Sequence, residues 1–511
     1  MKNNIKINSV IIALAVCMLA TGCANNTEIS DASSSESTQA VTIESKISDT
    51  SSSDDSSDSE TTTTTTTTST AAKTSKTDDS GSSENGSSDS EADAAATTTG
   101  KSDSSVTVKS KNSTSESKTS SGSTQKSESS ETVVATYTSS ASGKTDTSDL
   151  FSDRDLKQTA DTSDAAIITV TNGKTIDITS AGVYVISGTA TDCTIKVNAG
   201  DEDKVQLVLD GVDITNTDSP AIYVVNADKT FITTTSGSTN KLTVTGSFTA
   251  DGDTNTDAVI FSKDDLVLNG LGTITVSSAY GNGITSKDDL KVTGGSYSIT
   301  SAFDAIEAND SIRICDGSFT IKASKDGLHC ENSDDNTLGN IYIAGGTFDI
   351  TAVSDGIQGT TVTQIDGGTF TISAAEGIES TYVQINGGDI TISANDDGIN
   401  AANKSSAESV TFEMTGGKLS ITMASGDTDA IDSNGNVKVS GGTINITCPT
   451  QGTAESFDYD GTATYTGGTI TVNGEQLSEI PTPMMMGGGG FGGQQGGFGG
   501  QQGGGRGGFR M

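Results

Sequence analysis

Residues 355–373 read DGIQGTTVTQIDGGTFTIS, and variants of this phrase recur along the second half of the chain. Each copy opens with an acidic or amide residue, a tiny residue and an aliphatic residue. The openings are Asp257-Ala258-Val259, Asn282-Gly283-Ile284, Asp304-Ala305-Ile306, Asp326-Gly327-Leu328, Asp355-Gly356-Ile357, Glu376-Gly377-Ile378, Asp397-Gly398-Ile399 and Asp429-Ala430-Ile431. They lie 25, 22, 22, 29, 21, 21 and 32 residues apart. A period of this length is typical of a coil in which each turn is one structural unit.

The turns of this coil are predicted to be β-strands, because apolar residues alternate with polar ones between Gly, Asn and Asp. Superposing the phrases aligns one apolar column: Tyr297, Phe319, Phe348, Phe370, Ile390, Leu419, Ile444 and Ile470. Such columns face inward and stack at the inter-strand spacing of roughly 4.8 Å. The sequence therefore predicts an all-β protein, a right-handed parallel β-helix with about 22 residues per turn.

Paired glycines precede this column, and they are expected to supply positive φ at a corner of every turn. The pairs are 294/295, 345/346, 367/368, 387/388, 416/417, 441/442 and 467/468. Two longer intervals in the repeat, Glu331 to Gly339 and Ala402 to Glu408, are predicted to be polar loops at one corner.

The chain divides by composition into four parts. Residues 1–22 are a targeting segment, with lysines ahead of an apolar run and a small-residue site before Cys23. The segment looks like a bacterial lipoprotein signal, with Cys23 as the lipidated residue; an ordinary secretory signal is the alternative. Residues 23–150 are rich in Ser, Thr and charged residues and are predicted to be a disordered tether. The β-helix is expected over 151–478, and 479–511 is expected to be a disordered Met/Gly-rich tail.

Charge and rare residues exclude several functions. After residue 150 the chain has 46 acidic against 18 basic residues, a net charge of −28, so it should repel nucleic acid and anionic membranes. One histidine and the absence of tryptophan leave little from which to build a Ser-His-Asp or zinc site. Cys193, Cys315, Cys330 and Cys448 show no paired spacing and are predicted to be small core residues.

The acidic residue that opens each phrase builds a file of carboxylates along the coil. Neighbouring carboxylates in such a file repel and favour a counter-ion, and hard oxygen ligands suit Ca²⁺. The alternative is that these residues cap the corners by accepting backbone N–H bonds, with Lys325 or water balancing their charge. The predicted calcium ligands are Asp304, Glu307, Asp326, Asp355, Glu376, Glu379, Asp396 and Asp397.

Aromatic residues that stack on sugar rings need to be exposed, whereas the aromatic column of the repeat faces inward. Tyr280, Tyr342 and Tyr382 stand at positions that could face outward, and they are the candidates for such stacking. A regular β-face that repeats at roughly 4.8 Å would also let an extended glycan lie across several turns.

The body resembles a bacterial carbohydrate-binding domain family of calcium-containing parallel β-helix proteins, found on clostridial cell surfaces and similar in fold to pectate lyases. The resemblance covers roughly residues 165 to 475 and is carried by AGVYVISGT at 181–189, VQLVLDGV at 205–212 and AIYVVNADK at 221–229. It implies binding of plant cell-wall polysaccharides, cellulose and acidic pectic chains, without established catalysis. It also suggests Ca²⁺ for the acidic file.

The leading hypothesis is therefore a lipid-anchored, non-catalytic polysaccharide binder that reaches the bacterial cell surface and is assisted by calcium. No catalytic residue and no obligate protein partner is predicted. The alternative is a calcium-dependent lyase, for which Arg313 and Lys325 are the nearby candidates for a base. A third hypothesis is a passive structural spike.

Overall fold

The computed structural model describes residues 132–140, 143–426, 428–451 and 453–483. Within them the chain forms 36 β-strands and no α-helix, and no helix long and apolar enough to cross a bilayer occurs there. The strands wind into a parallel β-solenoid, which confirms the predicted fold class. The proposed signal, Cys23, most of the proposed tether and the tail from 484 onward lie outside these residues.

Three ribbons of parallel strands make up the walls of the solenoid. Ribbon A has the strands Lys229–Thr234, Leu266–Gly270, Asp289–Val292, Ser311–Ile314, Asn340–Ile343, Val362–Ile365, Tyr382–Ile385, Thr411–Met414, Asn436–Val439 and Ala463–Tyr465. Ribbon B has Thr239–Val244, Thr273–Ser278, Ser296–Ser301, Ser318–Ala323, Thr347–Ala352, Thr369–Ala374, Asp389–Ala394, Lys418–Met423, Thr443–Thr447, Thr469–Val472 and the antiparallel Glu475–Gln476. Both ribbons begin on Ala166–Thr169, Gly182–Thr191 and Lys204–Asn216.

Ribbon C is a separate sheet with one strand from each of 12 turns. Its strands are Thr175–Ile178, Thr194–Asn198, Ile222–Asn226, Ala258–Ser262, Asn282–Ser286, Ile306–Ala308, Leu328–Cys330, Asp355–Gly359, Glu376–Ser380, Ile399–Ala401, Ile431–Ser433 and Asp458–Tyr459. The chain passes through ribbons C, A and B in each turn, so the acidic phrase opening lies at the start of ribbon C.

The predicted inward column is confirmed by the register of ribbon B. Tyr297 pairs with Phe319, Phe319 with Phe348, and Phe348 with Phe370. The four rings stack with centroid separations of 5.2, 4.7 and 4.5 Å. Because parallel in-register strands lie one above another, identical side chains at one position form a continuous stack.

Each corner glycine pair meets two different requirements. Gly368 has a φ of +105°, which side-chain-bearing residues rarely adopt. Gly367 does not need positive φ, but a Cβ there would lie 2.4 Å from the carbonyl oxygen of Ala344 in the previous turn. The first glycine therefore permits close stacking of turns and the second permits the bend.

The four cysteines of the described residues are free and buried, in line with the absence of paired spacing in the sequence. Three of them, Cys193, Cys330 and Cys448, pack in the main core. Cys315 points the other way and packs with Leu150 and Phe151 on the outer side of ribbon A.

A strap, defined as residues 132–140 and 143–158, lies along the outer face of ribbon A. Its two ends pair with each other, since Val134 bridges Lys157 in an antiparallel manner. Its contacts advance turn by turn: Arg154 covers the Phe231 ring at 4.4 Å, Thr293 Oγ1 donates to Asp155 O, and Thr145 N donates to Gln364 Oε1. Residues 132–140 and 143–150 were expected to belong to the tether, but the structure packs them against the solenoid.

A buried carboxylate helps to hold the strap against ribbon A. Asp155 is fully buried, with Lys291 at 3.9 Å and Lys229 at 4.0 Å from its carboxylate oxygens. Burial lowers the pKa of Lys291, the neighbouring Lys229 lowers it further, and Asp155 acts in the opposite direction. A buried carboxylate stabilises the docked strap only while these ammonium groups face it.

Candidate functional site

Most of the acidic file acts as a backbone-capping ladder. The Oδ1 atom of one turn accepts the backbone N–H of the corresponding residue in the next turn, each time at 3.0 Å. The bonds run from Asp304 N to Asn282, Asp326 N to Asp304, Asp355 N to Asp326, Asp429 N to Asp397, and Glu455 N to Asp429. Over much of the file these residues therefore cap the corners by accepting backbone N–H bonds, which is the alternative to calcium binding given above.

The ladder is interrupted at Glu376. In the part of the chain that the structure describes, Glu376 N bonds to Ser354 O at 3.3 Å rather than to Asp355. A glutamate side chain is one methylene longer than an aspartate, and here its carboxylate accepts from Asn400 Nδ2 at 2.9 Å. Because the backbone N–H of Glu376 bonds to Ser354 O, the carboxylate of Asp355 does not receive it.

Two acidic groups come close enough to share a cation, and the first is already balanced by protein charges. Asp304 accepts from Lys325 Nζ at 2.9 Å and lies 3.2 Å from His329 Nδ1. Burial would raise the pKa of Asp304, but the bonds to His329 and Lys325 lower it to about 2. Burial would lower the pKa of His329, but Asp304 raises it. Two cationic side chains thus offset the carboxylates of Asp304 and Asp326.

The second group, Asp355, Glu376 and Glu379, has more carboxyl groups than it has cationic partners. One oxygen from each residue lies within 4.8 Å of the others. Lys404 Nζ binds Glu379 Oε2 at 2.5 Å, so one ammonium faces three carboxyl groups. Burial, followed by the charges of Asp326, Glu376 and Glu379, raises the pKa of Asp355 to about 8. Burial and Glu379 likewise raise the pKa of Glu376.

The remaining predicted ligands belong to neither of these two groups. Glu307 accepts from Asn282 Nδ2 at 2.6 Å and Thr285 Oγ1 at 2.9 Å, and Lys287 Nζ lies 3.2 Å away. Asp396 is exposed. Asp397 caps Asp429, and burial together with nearby carboxylates raises its pKa to about 8. The second group thus uses three of the eight residues that the sequence analysis named.

The outer face of ribbon B is a field of hydroxyl groups. In each of its strands the side chains alternate between buried and outward, and the outward ones are mostly Ser and Thr. The exceptions between Ser296 and Thr447 are Lys322, Asp349, Asp389, Lys418 and Asn445. Two lysines and two aspartates cancel, so this face has no net charge within a strongly acidic body.

Exposed aromatic rings stand at the edge of this hydroxyl face. Tyr280 is 57% exposed and Phe303 is 52% exposed. They lie in adjacent turns, where Phe303 N donates to Gly281 O at 3.2 Å. The sequence analysis named Tyr280 but missed Phe303, although Phe303 stands just before the Asp304 opening and outside the inward column.

The other two candidate tyrosines are not available for stacking, which corrects that prediction. Tyr342 and Tyr382 do point away from the core, but they are only 2% and 6% exposed. The strap covers both, with Leu150 and Phe151 against Tyr342 and Lys144 Nζ 4.8 Å from the Tyr382 ring centroid. Their hydroxyl groups donate to Asp366 and Glu413.

The two side chains considered as lyase bases are both held in ion pairs. Arg313 Nη1 lies 2.9 Å from Asp289. Lys325 lies 2.9 Å from Asp304 and 3.4 Å from Asp326. Burial alone would lower the pKa of Lys325, but these carboxylates raise it. A general base at neutral pH needs the opposite shift.

A parallel β-solenoid with a long hydroxyl face and edge aromatics defines the general class of repeat proteins that present an extended surface. The chain belongs to the family of carbohydrate-binding domain-containing proteins, whose model matches residues 172–384 and 374–480. The resemblance to this family is thereby confirmed.

Two proteins with similarity to this chain illustrate the match. A carbohydrate-binding domain-containing protein of Acetivibrio thermocellus is 43% identical over 185 residues, which are 36% of this chain and 65% of that protein. The polysaccharide lyase-like protein from C. thermocellum, solved as a gadolinium derivative, is 32% identical with a TM-score of 0.38. That comparison covers 45% of this chain and 94% of the solved one.

Proposed function

We propose that this protein is a non-catalytic binder of cell-wall polysaccharide, taking cellulose, acidic pectic chains or both. The observation that carries the proposal is the hydroxyl face of ribbon B, which runs over consecutive turns without net charge. Its rows repeat at roughly 4.8 Å, close to the length of one sugar unit in an extended chain. Hydroxyl groups both donate and accept hydrogen bonds, which matches the surface of a neutral glycan.

Tyr280 and Phe303 give this surface an apolar edge. An aromatic ring stacks on the C–H face of a pyranose, whereas hydroxyl groups bond its rim, and the two contacts together orient a chain. Membership of a carbohydrate-binding family supports the same function. The ion-paired states of Arg313 and Lys325 count against the lyase alternative.

We further propose Ca²⁺ as the ion held by Asp355, Glu376 and Glu379. Oxygens that lie within 4.8 Å of one another suit ligands at 2.3–2.6 Å on different sides of one ion. Three carboxyl groups facing a single ammonium supply the negative charge that a divalent cation requires. The ion would hold adjacent turns together at the point where the capping ladder is interrupted.

The location of the protein is also a proposal. Lipidation at Cys23 would anchor it to the outer face of the bacterial membrane, and the Ser/Thr-rich residues after it would carry the solenoid towards the cell surface. Mass spectrometry of the membrane fraction tests this directly. An unmodified N-terminus in the mature protein would contradict it.

Retention of the full-length chain on insoluble cellulose and polygalacturonate, with Ca²⁺ and with EDTA, tests the function. Thr371→Glu places a charge in the hydroxyl face and should reduce retention on cellulose at least tenfold. Thr464→Glu makes the same change at an exposed site on ribbon A and is the matched control. Retention on neither polymer would favour the passive spike, and unsaturated product absorbance from pectate would favour the lyase.

A further inference from the structure

We propose that a cavity beside Lys144 of the strap is a second carbohydrate site, which takes a sugar residue carrying a carboxylate. The proposal rests on the carbohydrate-binding function and places an additional site on a different face. It concerns three departures from the repeat that come together on one face: the strap and the loops at 331–339 and 402–408.

The two loops lie side by side although 70 residues separate their contacting atoms. Asn336 Nδ2 donates to Ser406 Oγ at 2.7 Å, and Ser405 Oγ donates back to Asn336 O. Thr361, in the turn between them, donates to Leu338 O at 2.6 Å. In repeat proteins, insertions that gather on one face commonly build the binding surface.

Lys144 of the strap closes the third side. Lys144 Nζ binds Glu408 Oε2 at 2.6 Å, and Lys144 N donates to Gln384 Oε1 at 2.8 Å. These contacts fix the strap against the loop at 402–408. A cavity of 370 Å³ remains between the strap, the loops and ribbon A. Ligand pockets have volumes of ~300 Å³ or more, so this cavity is large enough for one or two sugar rings.

The lining of the cavity indicates the chemistry of its ligand. Hydroxyl and amide groups come from Ser311, Thr337, Asn340 and Thr361, and the Tyr342 and Leu150 side chains give an apolar wall. The charged lining residues are Lys144, Arg313 and Glu408.

Each cation is paired with one carboxylate, Lys144 with Glu408 and Arg313 with Asp289, so the cavity carries no net negative charge in a body with 46 acidic and 18 basic residues. The guanidinium of Arg313 has five N–H donors, and its contact with Asp289 uses only part of them. A guanidinium pairs readily with a carboxylate, while the hydroxyl groups match a sugar rim. The combination points to a uronate rather than a neutral hexose.

Calorimetric titration of the full-length chain with trigalacturonate, galacturonate and cellotriose tests the site. Ala407→Trp fills the cavity from a loop position, and Arg313→Gln removes the charge without filling it. Both variants should weaken trigalacturonate binding at least tenfold and leave retention on cellulose unchanged. Phe303→Ala, at the edge of the hydroxyl face of ribbon B, is the control and should weaken cellulose retention only.

The outcomes separate this proposal from the proposed function. Cellulose retention without any trigalacturonate binding, or trigalacturonate binding unaffected by both variants, overturns the second site alone. Cellotriose bound in the cavity, displaced by Ala407→Trp, overturns the uronate assignment. A wild-type chain that binds no glycan overturns the proposed function. Circular dichroism melting identifies a variant that fails to fold, in which case the other variant decides.

Discussion

The group of Asp355, Glu376 and Glu379 predicts a stability that depends jointly on pH and calcium. Without a cation, the pKa of Asp355 is raised from 3.8 to about 8, so the folded state binds a proton that the unfolded state releases. The stabilisation from that proton is complete below about pH 4 and is lost as pH rises through 8. At ~1.4 kcal/mol per pH unit, this difference is on the order of 5 kcal/mol.

Calcium should offset the loss, because it occupies the same oxygens only when they are deprotonated. At a concentration a hundred times its dissociation constant, an ion that binds only the folded state adds ~2.7 kcal/mol. We expect a small calcium effect at pH 5.5 and the full effect at pH 8.5. Urea unfolding followed by circular dichroism, with CaCl₂ or EDTA at each pH, measures both quantities.

Glu376→Gln sharpens the test because it removes one charge and keeps the bond to Asn400. The variant should unfold at higher urea than wild type at pH 8.5 in EDTA and should respond less to calcium. Asp389→Asn, which removes an exposed carboxylate paired with Lys418, is the matched control and should behave like wild type. Equal calcium effects in Glu376→Gln and wild type, or a wild-type stability that does not fall between pH 5.5 and 8.5 in EDTA, would refute the assignment.

Three further substitutions test the architecture. Asp155→Ala removes the buried carboxylate under the strap and should cost ~3–5 kcal/mol of docking free energy; faster hydrogen exchange in 143–158 with unchanged exchange in ribbon B would show it, and unchanged strap exchange would contradict it. Phe348→Ala leaves a gap in the ring stack and should lower the unfolding free energy by ~3–5 kcal/mol; a loss under ~1 kcal/mol would mean that the stack repacks freely. Gly367→Ala drives a Cβ to 2.4 Å from a carbonyl oxygen, whereas Gly173→Ala meets nothing within 4 Å. The first should therefore destabilise far more than the second, for which the left-handed backbone alone costs ~1–2 kcal/mol, and equal thermal midpoints would refute the clash.

Sequence reasoning captured the solenoid because its determinants are local and repeated. Period-two apolar positions specify which side faces the core, and the same pattern in every turn specifies the register. A column such as Phe319, Phe348 and Phe370 can therefore be aligned without coordinates. The glycine pairs are equally local, although the close approach that requires Gly367 becomes visible only when the turns are stacked.

The strap was not predicted, because the determinants of its docking are neither local nor repeated. Its docking depends on pairs that are far apart in the chain, such as Thr145 with Gln364 and Asp155 with Thr293. Its own composition continues the polar pattern of the preceding residues, and few apolar side chains, among them Leu150 and Phe151, indicate burial. The correction at Tyr342 follows directly, because a residue that faces outward from the coil is exposed only if nothing else packs on it.

The acidic file was only partly predictable, because the capping ladder is interrupted at Glu376. From Asn282 to Asp429 every phrase opens with Asp or Asn except at Glu376. Most of the short side chains accept the next backbone N–H, as Asp304 does from Asp326. Asp355 does not, because Glu376 N bonds to Ser354 O, and the carboxylate of Glu376 itself accepts from Asn400. The exception was visible in the sequence, but its consequence required the spacing between turns.

Charge explains why neutral and acidic glycans would use different parts of this molecule. A body with a net charge of −28 repels a polyuronate at a distance, and within a Debye length of ~8 Å the local groups decide. The hydroxyl face balances Lys322 and Lys418 against two aspartates and so meets a neutral chain without an electrostatic penalty. An acidic chain needs a place where the surrounding negative charge is balanced and a cationic donor is still available. In the cavity, Lys144 is paired with Glu408 and Arg313 with Asp289, and the guanidinium of Arg313 has further N–H donors. The repeat thus supplies an extended surface, and the segments that break the repeat supply selectivity.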